Sequence, residues 1–289
     1  MSTCPACDLQ LHKAFTARDH TVSHEDFELL ACHGCGLMKT DFPTGKTIGS
    51  YYQSADYISH TSKATSAIQR LYLLVRGYTL YKKYNLINSL KAPARSIADI
   101  GCGTGDFLNR MKRGGWEISG IEPSDQARAI AEQTTGITLG KDLRAFHAKT
   151  AIITLWHVLE HLDSPMESMK KLSENLMPGG TILIAVPNHN AEDAQYYKEH
   201  WAGLDVPRHL WHFTQQAING LSEKAGLRVE RTVPLKFDAY YVSMLSEGYK
   251  NVKQSSITNL IKGSWSGLKS NLRAANTGEY SSLIYILKK

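Results

Sequence analysis

ADIGCGTGDF, residues 98–107, joins an apolar run to three alternate glycines and then to a helical pattern. The run from Ser96 to Ile100 is interrupted only by Asp99 and gives way to Gly101, Gly103 and Gly105; beyond them Phe107, Leu108 and Met111 recur at helical spacing. This reads as a strand, a tight glycine turn and a helix start, a geometry that lets backbone N–H groups approach a nucleotide-like ligand closely. The G-x-G-x-G spacing differs from the G-x-G-x-x-G of dinucleotide-binding loops.

Working outward, strand and helix patterns alternate from Ser96 onward, which predicts a mostly parallel sheet in an α/β fold. Strand Ser96–Ile100 leads to helix Asp106–Arg113, and strand Glu117–Ile121 leads to helix Asp125–Gln133. A short strand is expected at Ile137–Leu139 and a longer one at Ala151–Trp156. Ser164, Pro165 and Glu167 form a capping box with proline at the first helical position. That helix is expected to stop at Met177-Pro-Gly-Gly180, before strand Thr181–Val186. Helix Gln215–Ala225, strand Leu227–Leu235 and a last strand Ser281–Leu287 follow, the last two strands separated by a helical insertion at about 238–279. Seven strands result. Residues 62–91 keep rough helical spacing until Pro93, so 46–95 reads as a helical linker or lid and 96–289 as the main domain.

The 289 residues can bury a substantial core, and 21% charged with 42% apolar residues is ordinary for a globular chain. No eighteen-residue apolar run exists and the N-terminus lacks a leader pattern, so neither a membrane span nor secretion is expected. The net charge of +6 is unevenly spread: residues 96–197 carry −4, 46–95 carry +7 and 250–289 carry +6.

Residues 1–45 are too few for an ordinary core and need a staple. Cys4-Pro-Ala-Cys7 and Cys32-His-Gly-Cys35 supply two C-x-x-C knuckles, the usual tetrahedral thiolate set for structural zinc. Four thiolates leave no open coordination position, so His33 is a bystander and the ion is structural. The pattern also fits a reducing, cytoplasmic setting. The fifth cysteine, Cys102, is expected to pack in the glycine loop. The segment is acidic, with Lys13, Arg18 and Lys39 against Asp8, Asp19, Glu25, Asp26, Glu28 and Asp41, which speaks against a nucleic-acid clamp.

The glycine loop resembles motif I of the class I S-adenosylmethionine (SAM) methyltransferases. Ile153–Leu162, ITLWHVLEHL, resembles the segment after the fourth strand in a large, methyltransferase-23-like group that often reads HVLEHL there. With its cysteine-paired start, the chain is similar to bacterial zinc-ribbon methyltransferases. The resemblance implies a Rossmann-like seven-stranded sheet with an antiparallel last strand, and methyl transfer from SAM. It also implies that Gly101, Gly103 and Gly105 pass under the methionyl part, with Asp99 orienting the loop. Glu122, 21 residues after Gly101, would accept the ribose hydroxyls; Asp142 and Leu143 would flank adenine; Trp156 and His157 would line the methionine side. Where many relatives carry Phe-Asp before the fourth strand, this chain has Lys149-Thr-Ala151. His157 and His161 are four apart but lack the H-E-x-x-H order of zincins.

Two aromatic and histidine-bearing segments are candidates for acceptor binding: Tyr51, Tyr52, Tyr57 and His60, and Trp201, Arg208, His209 and His212. Arg208 is expected to grip a carboxylate or phosphate, and His209, then His157, to take a proton. The expected enzyme methylates a small, anionic or nucleotide-linked acceptor. Two other readings stand beside it: a ribosomal-RNA methyltransferase, favoured by the basic flanks, and a non-catalytic SAM-binding scaffold or regulator.

Overall fold

The computed structural model describes residues 2–52, 67–251 and 254–289. Its strands are β1 (Leu11–Arg18), β2 (Asp26–Cys32), β3 (Met38–Asp41), β4 (Ser96–Ile100), β5 (Glu117–Ile121), β6 (Thr150–Trp156), β7 (Leu176–Pro187), β8 (Trp211–His212), β9 (Arg228–Pro234) and β10 (Ser282–Lys288). Its helices are α1 (Ala67–Asn88), α2 (Asp106–Arg113), α3 (Asp125–Thr135), α4 (Pro165–Asn175), α5 (Glu192–Tyr197), α6 (Gln215–Lys224), α7 (Lys236–Lys250) and α8 (Ser256–Thr277).

The central sheet has six strands in the order β5-β4-β6-β7-β10-β9. β4 pairs in parallel with both β5 and β6. Ile97, Ala98, Ile152, Ile153 and Leu155 are fully buried, which explains why these strands read as nearly unbroken apolar runs. The seventh strand expected at Ile137–Leu139 is absent. A single parallel bridge, Ile121 to Gly140, stands in its place. Three residues ending at a glycine offer one ladder step: Gly140 N–H donates to the Gly120 carbonyl (2.9 Å) and its own carbonyl accepts from Glu122 N–H (2.9 Å).

β7 also departs from expectation, starting at Leu176 rather than Thr181. Gly180 reads as a turn residue in sequence, yet a Cβ there would lie 2.7 Å from the Ala151 carbonyl oxygen. It is a strand glycine kept for close backbone approach.

The chain divides into two compact units, one of Met1–Ser54, His157–Lys170 and Ile184–Leu287, the other of Ala55–Trp156, Lys171–Leu183 and Lys288–Lys289. In the first unit β1, β2 and β3 form an antiparallel meander that β8 extends to four strands. Phe27, Leu29 and Met38 share a core with Tyr51, Tyr197, Trp201 and Leu204. The cysteine-bearing segment thus gains its core from residues far along the chain. The insertion forms the pair α7 and α8, which approach closely where Gly263 and Gly267 face the backbones of Met244 and Tyr240. In the second unit, α2 buries Phe107, Leu108 and Met111, the residues whose helical spacing marks it in sequence.

Candidate functional site

In the second unit the chain leaves β4 through Gly101, Gly103 and Gly105, at φ 71°, 55° and 79°. This left-handed backbone is open to glycine at little steric cost. Gly101 and Cys102 N–H both donate to the Ile121 carbonyl, which fixes the loop against the end of β5. Glu122 then accepts from Gly103 N–H (2.8 Å) on one oxygen and from Ser124 N–H (2.9 Å) on the other. Burial raises the Glu122 pKa, and these two N–H groups oppose the rise. A Cβ at Gly103 would meet nothing within 4 Å, so the loop leaves a cradle.

Beneath it, Asp99 is buried and accepts a 2.6 Å hydrogen bond from the Thr154 hydroxyl. Burial raises it to about 7 against that bond. Trp156 meets Phe107 edge to face at 5.5 Å and lies under the Lys83 ammonium at 4.2 Å. Its buried indole N–H has no partner among the described residues. An open cradle, a carboxylate at the end of β5 and an unpaired indole donor fit a ligand with a diol and polar termini, as SAM has. Cys102 packs with Leu108, Ala131 and Leu139, as expected, and burial pushes its thiol up to about 12. Asp142 caps the turn Leu143–Ala145 through Arg144 N–H (2.8 Å) and lines a cavity of about 270 Å³ with Ser119, Ile121 and Thr138. Gly103 and Glu122 are outside that lining.

The first unit corrects several expectations. His157, at φ 57°, sits with Nδ1 3.4 Å from Glu160 and Nε2 3.3 Å from Asp238. Burial disfavours its charge, but the two carboxylates prevail and raise it to about 9. A ring protonated at neutral pH cannot accept a proton, so the base role falls. Asp238 carries no sequence signal that would pair it with His157.

Arg208 is buried and its guanidinium is engaged within the protein: it donates to Asp205, to Asp19 (3.0 Å), to the Thr21 hydroxyl and to the Tyr51 carbonyl (3.1 Å). These bonds occupy Nε, both Nη2 N–H groups and one Nη1 N–H, which holds the side chain inward as a structural arginine. Burial opposes ionisation of Asp19, but hydrogen bonds from Arg208 and from Ser23 and Thr21 N–H hold its carboxyl well below the usual range.

His209 is not in an open loop. Its Nδ1 donates to the Gly203 carbonyl (2.9 Å), and burial beside His161 lowers it to about 4, which makes it a poor base. His212 is buried in β8 with Nε2 3.0 Å from the Thr40 hydroxyl. Trp201 is a core residue whose indole N–H donates to Asp193 (2.9 Å). Tyr51 is buried and donates to Glu25 (2.6 Å), while the Tyr52 hydroxyl lies 3.0 Å from His161 Nδ1. Tyr57 and His60 lie outside the described residues.

Cys4, Cys7, Cys32 and Cys35 bring their sulfurs within 4.8 Å of one another, with Cys4 to Cys35 at 3.5 Å and Cys7 to Cys32 at 3.3 Å. A tetrahedral zinc with bonds near 2.3 Å would set sulfurs about 3.8 Å apart, so the set fits. The second knuckle is tied to α6, since the Thr214 hydroxyl donates to the Cys35 carbonyl (2.6 Å) and accepts from Ala217 N–H (3.0 Å).

Residues 72–232, more than half of the chain, match the methyltransferase domain family, and the chain belongs to it. A ubiquinone biosynthesis O-methyltransferase of Azoarcus sp. (strain BH72) is 26% identical over 106 residues, 33% of this chain and 46% of that protein. One from Burkholderia thailandensis is 24% identical over 159 residues, 47% of this chain and 68% of that protein. The chain thus spans about half the length of the first of these relatives. A SAM dependent methyltransferase from Archaeoglobus fulgidus has the same fold, with TM-score 0.50 at 18% identity over 74% of this chain and 94% of that one.

Proposed function

We propose that the chain is a SAM-dependent methyltransferase acting on a small-molecule acceptor, with a structural zinc in a ribbon over residues 1–45. In this reading residues 96–289 make up the methyltransferase domain, with helix α1 (Ala67–Asn88) in the linker or lid segment that precedes it. The observation that supports this most is the glycine loop closed onto Glu122, with the Gly103 cradle above it. The names of the curated relatives favour an oxygen nucleophile on the acceptor.

When bound, SAM supplies a methyl group made electrophilic by its sulfonium. Glu122 commits one lone pair of each oxygen to a backbone N–H, which leaves acceptor capacity for a ribose diol. The Trp156 indole offers a donor for the methionine side. Asp142 and Leu143 stand at the turn that would flank an adenine. His157, both ring nitrogens facing the Asp238 and Glu160 carboxylates, contributes a positive charge rather than a base. Rate enhancement would then rest largely on holding the reactants in line, for which effective molarities reach about 10⁵ M or more.

Calorimetry tests the reading. SAM and S-adenosylhomocysteine should each bind one per chain, with NAD silent. Glu122→Ala should weaken SAM by about 1.5–3 kcal/mol, the scale of hydrogen bonds to a charged group. NAD binding in preference to SAM overturns the assignment, and methyl transfer to ribosomal RNA with steep salt dependence overturns the acceptor class.

A further inference from the structure

The turn Leu159–His161 sets Glu160 and His161 side by side in the first unit, and His209 arrives from 48 residues further along. One carboxylate oxygen of Glu160 and one ring nitrogen each of His161 and His209 lie within 4.8 Å of one another. Each imidazole is oriented from behind: His161 Nδ1 lies 2.9 Å from the Arg208 carbonyl and His209 Nδ1 lies 2.9 Å from the Gly203 carbonyl. A carbonyl only accepts, so both Nδ1 atoms carry the proton and each neutral ring keeps its lone pair on Nε2, that of His209 lying 4.0 Å from Asp205. Backbone carbonyls behind the rings are what metal-binding histidines normally have.

Glu160 supplies an independent observation. It is 1% exposed, and neither of its carboxylate oxygens has a hydrogen-bond partner among the described residues. His157 stands 3.4 Å from one of them without making a hydrogen bond. Two histidines and a buried carboxylate thus converge, and among the described residues the one cation beside them is His157, 3.4 Å from one Glu160 oxygen. His157 faces only one Glu160 oxygen, and the second is buried with no partner among the described residues, an acceptor that a bound cation would satisfy.

We propose that Glu160, His161 and His209 bind a divalent first-row metal ion, separate from the four-thiolate site. Two imidazoles and a carboxylate suit manganese, iron or zinc better than a soft ion, and three protein ligands leave coordination positions open to water or a ligand oxygen. This does not depend on the identity of the methyl donor or acceptor.

The 289-residue chain, loaded with one zinc and freed of other metals, is titrated with Mn²⁺ and followed by the electron paramagnetic resonance of the free ion. The expected result is one Mn²⁺ per chain, with electron spin-echo modulation from two histidine nitrogens that changes on ¹⁵N-histidine labelling. Glu160→Gln and His209→Gln should each weaken uptake at least tenfold, while Cys7→Ser at the ribbon should not. The spin-echo measurement needs no variant, so a misfolded variant does not spoil the test. No uptake at millimolar Mn²⁺, uptake without histidine coupling, or affinity unchanged in folded Glu160→Gln and His209→Gln each overturns the site.

Discussion

Replacing Arg208 by Met separates a structural arginine from an acceptor-gripping one. The change keeps the aliphatic stem and removes a guanidinium that donates to Asp19, Asp205, Thr21 and the Tyr51 carbonyl. It strands Asp19, whose side chain is 0% exposed. Breaking a buried ion pair by deleting one partner costs about 3–5 kcal/mol. Asp19 retains hydrogen bonds from Thr21, Val22 and Ser23, and Asp205, a quarter exposed, can rehydrate. We therefore expect the lower end, about 3 kcal/mol. At about 2–4 °C per kcal/mol for a domain of this size, the melting temperature should fall by about 6–12 °C in scanning calorimetry. SAM affinity, measured below the transition, should stay within twofold. Adding Asp19→Asn should recover part of the loss, because the stranded charge is then gone. A variant with unchanged melting temperature and a large rise in acceptor KM would refute the reasoning and return Arg208 to the acceptor.

Elemental analysis should find at least one zinc per chain, and Cys35→Ser should release the ribbon's share. Because the Cys35 carbonyl is bonded to Thr214 at the start of α6, that variant should also lose protection from hydrogen exchange in α6; protection loss confined to residues 1–45 counts against the coupling. Gly263→Ala should destabilise by about 2 kcal/mol in urea melts, since its Cβ would lie 2.4 Å from the Met244 Cα. Gly248→Ala, whose nearest neighbour is a side-chain atom at 3.6 Å, should instead stabilise by up to about 1 kcal/mol. Asp99 keeps its proton in the folded chain up to about 7, well above the usual carboxylate range. Between about pH 4 and 7 the unfolded chain therefore binds fewer protons at this group, and its contribution to stability falls as pH rises. Asp99→Asn should gain melting temperature relative to the parent across that window and hold the gain above it; a gap independent of pH refutes the assignment.

Much of this protein was legible in local pattern. Alternate glycines at 101, 103 and 105 permit the left-handed backbone a tight loop uses, and helical spacing at Phe107, Leu108 and Met111 marks a face that must be buried. The paired cysteines converge as their spacing implies, and Ser164 hydrogen-bonds to Glu167 N–H as the capping box predicts. These signals act within a few residues, through dihedral preference, periodicity and ligand reach. Tertiary structure decided the rest. Arg208 looks like a substrate hook until Asp19, 189 residues away, is found against it. His209 looks mobile until burial removes its basicity, and His157 looks like a base until Asp238 closes on it. Glu160 becomes a candidate ligand only when His209 is folded beside it. A side chain's type fixes what it can donate or accept, but its charge state and free valences depend on burial and on partners distant in sequence, so these roles appear only in the folded chain.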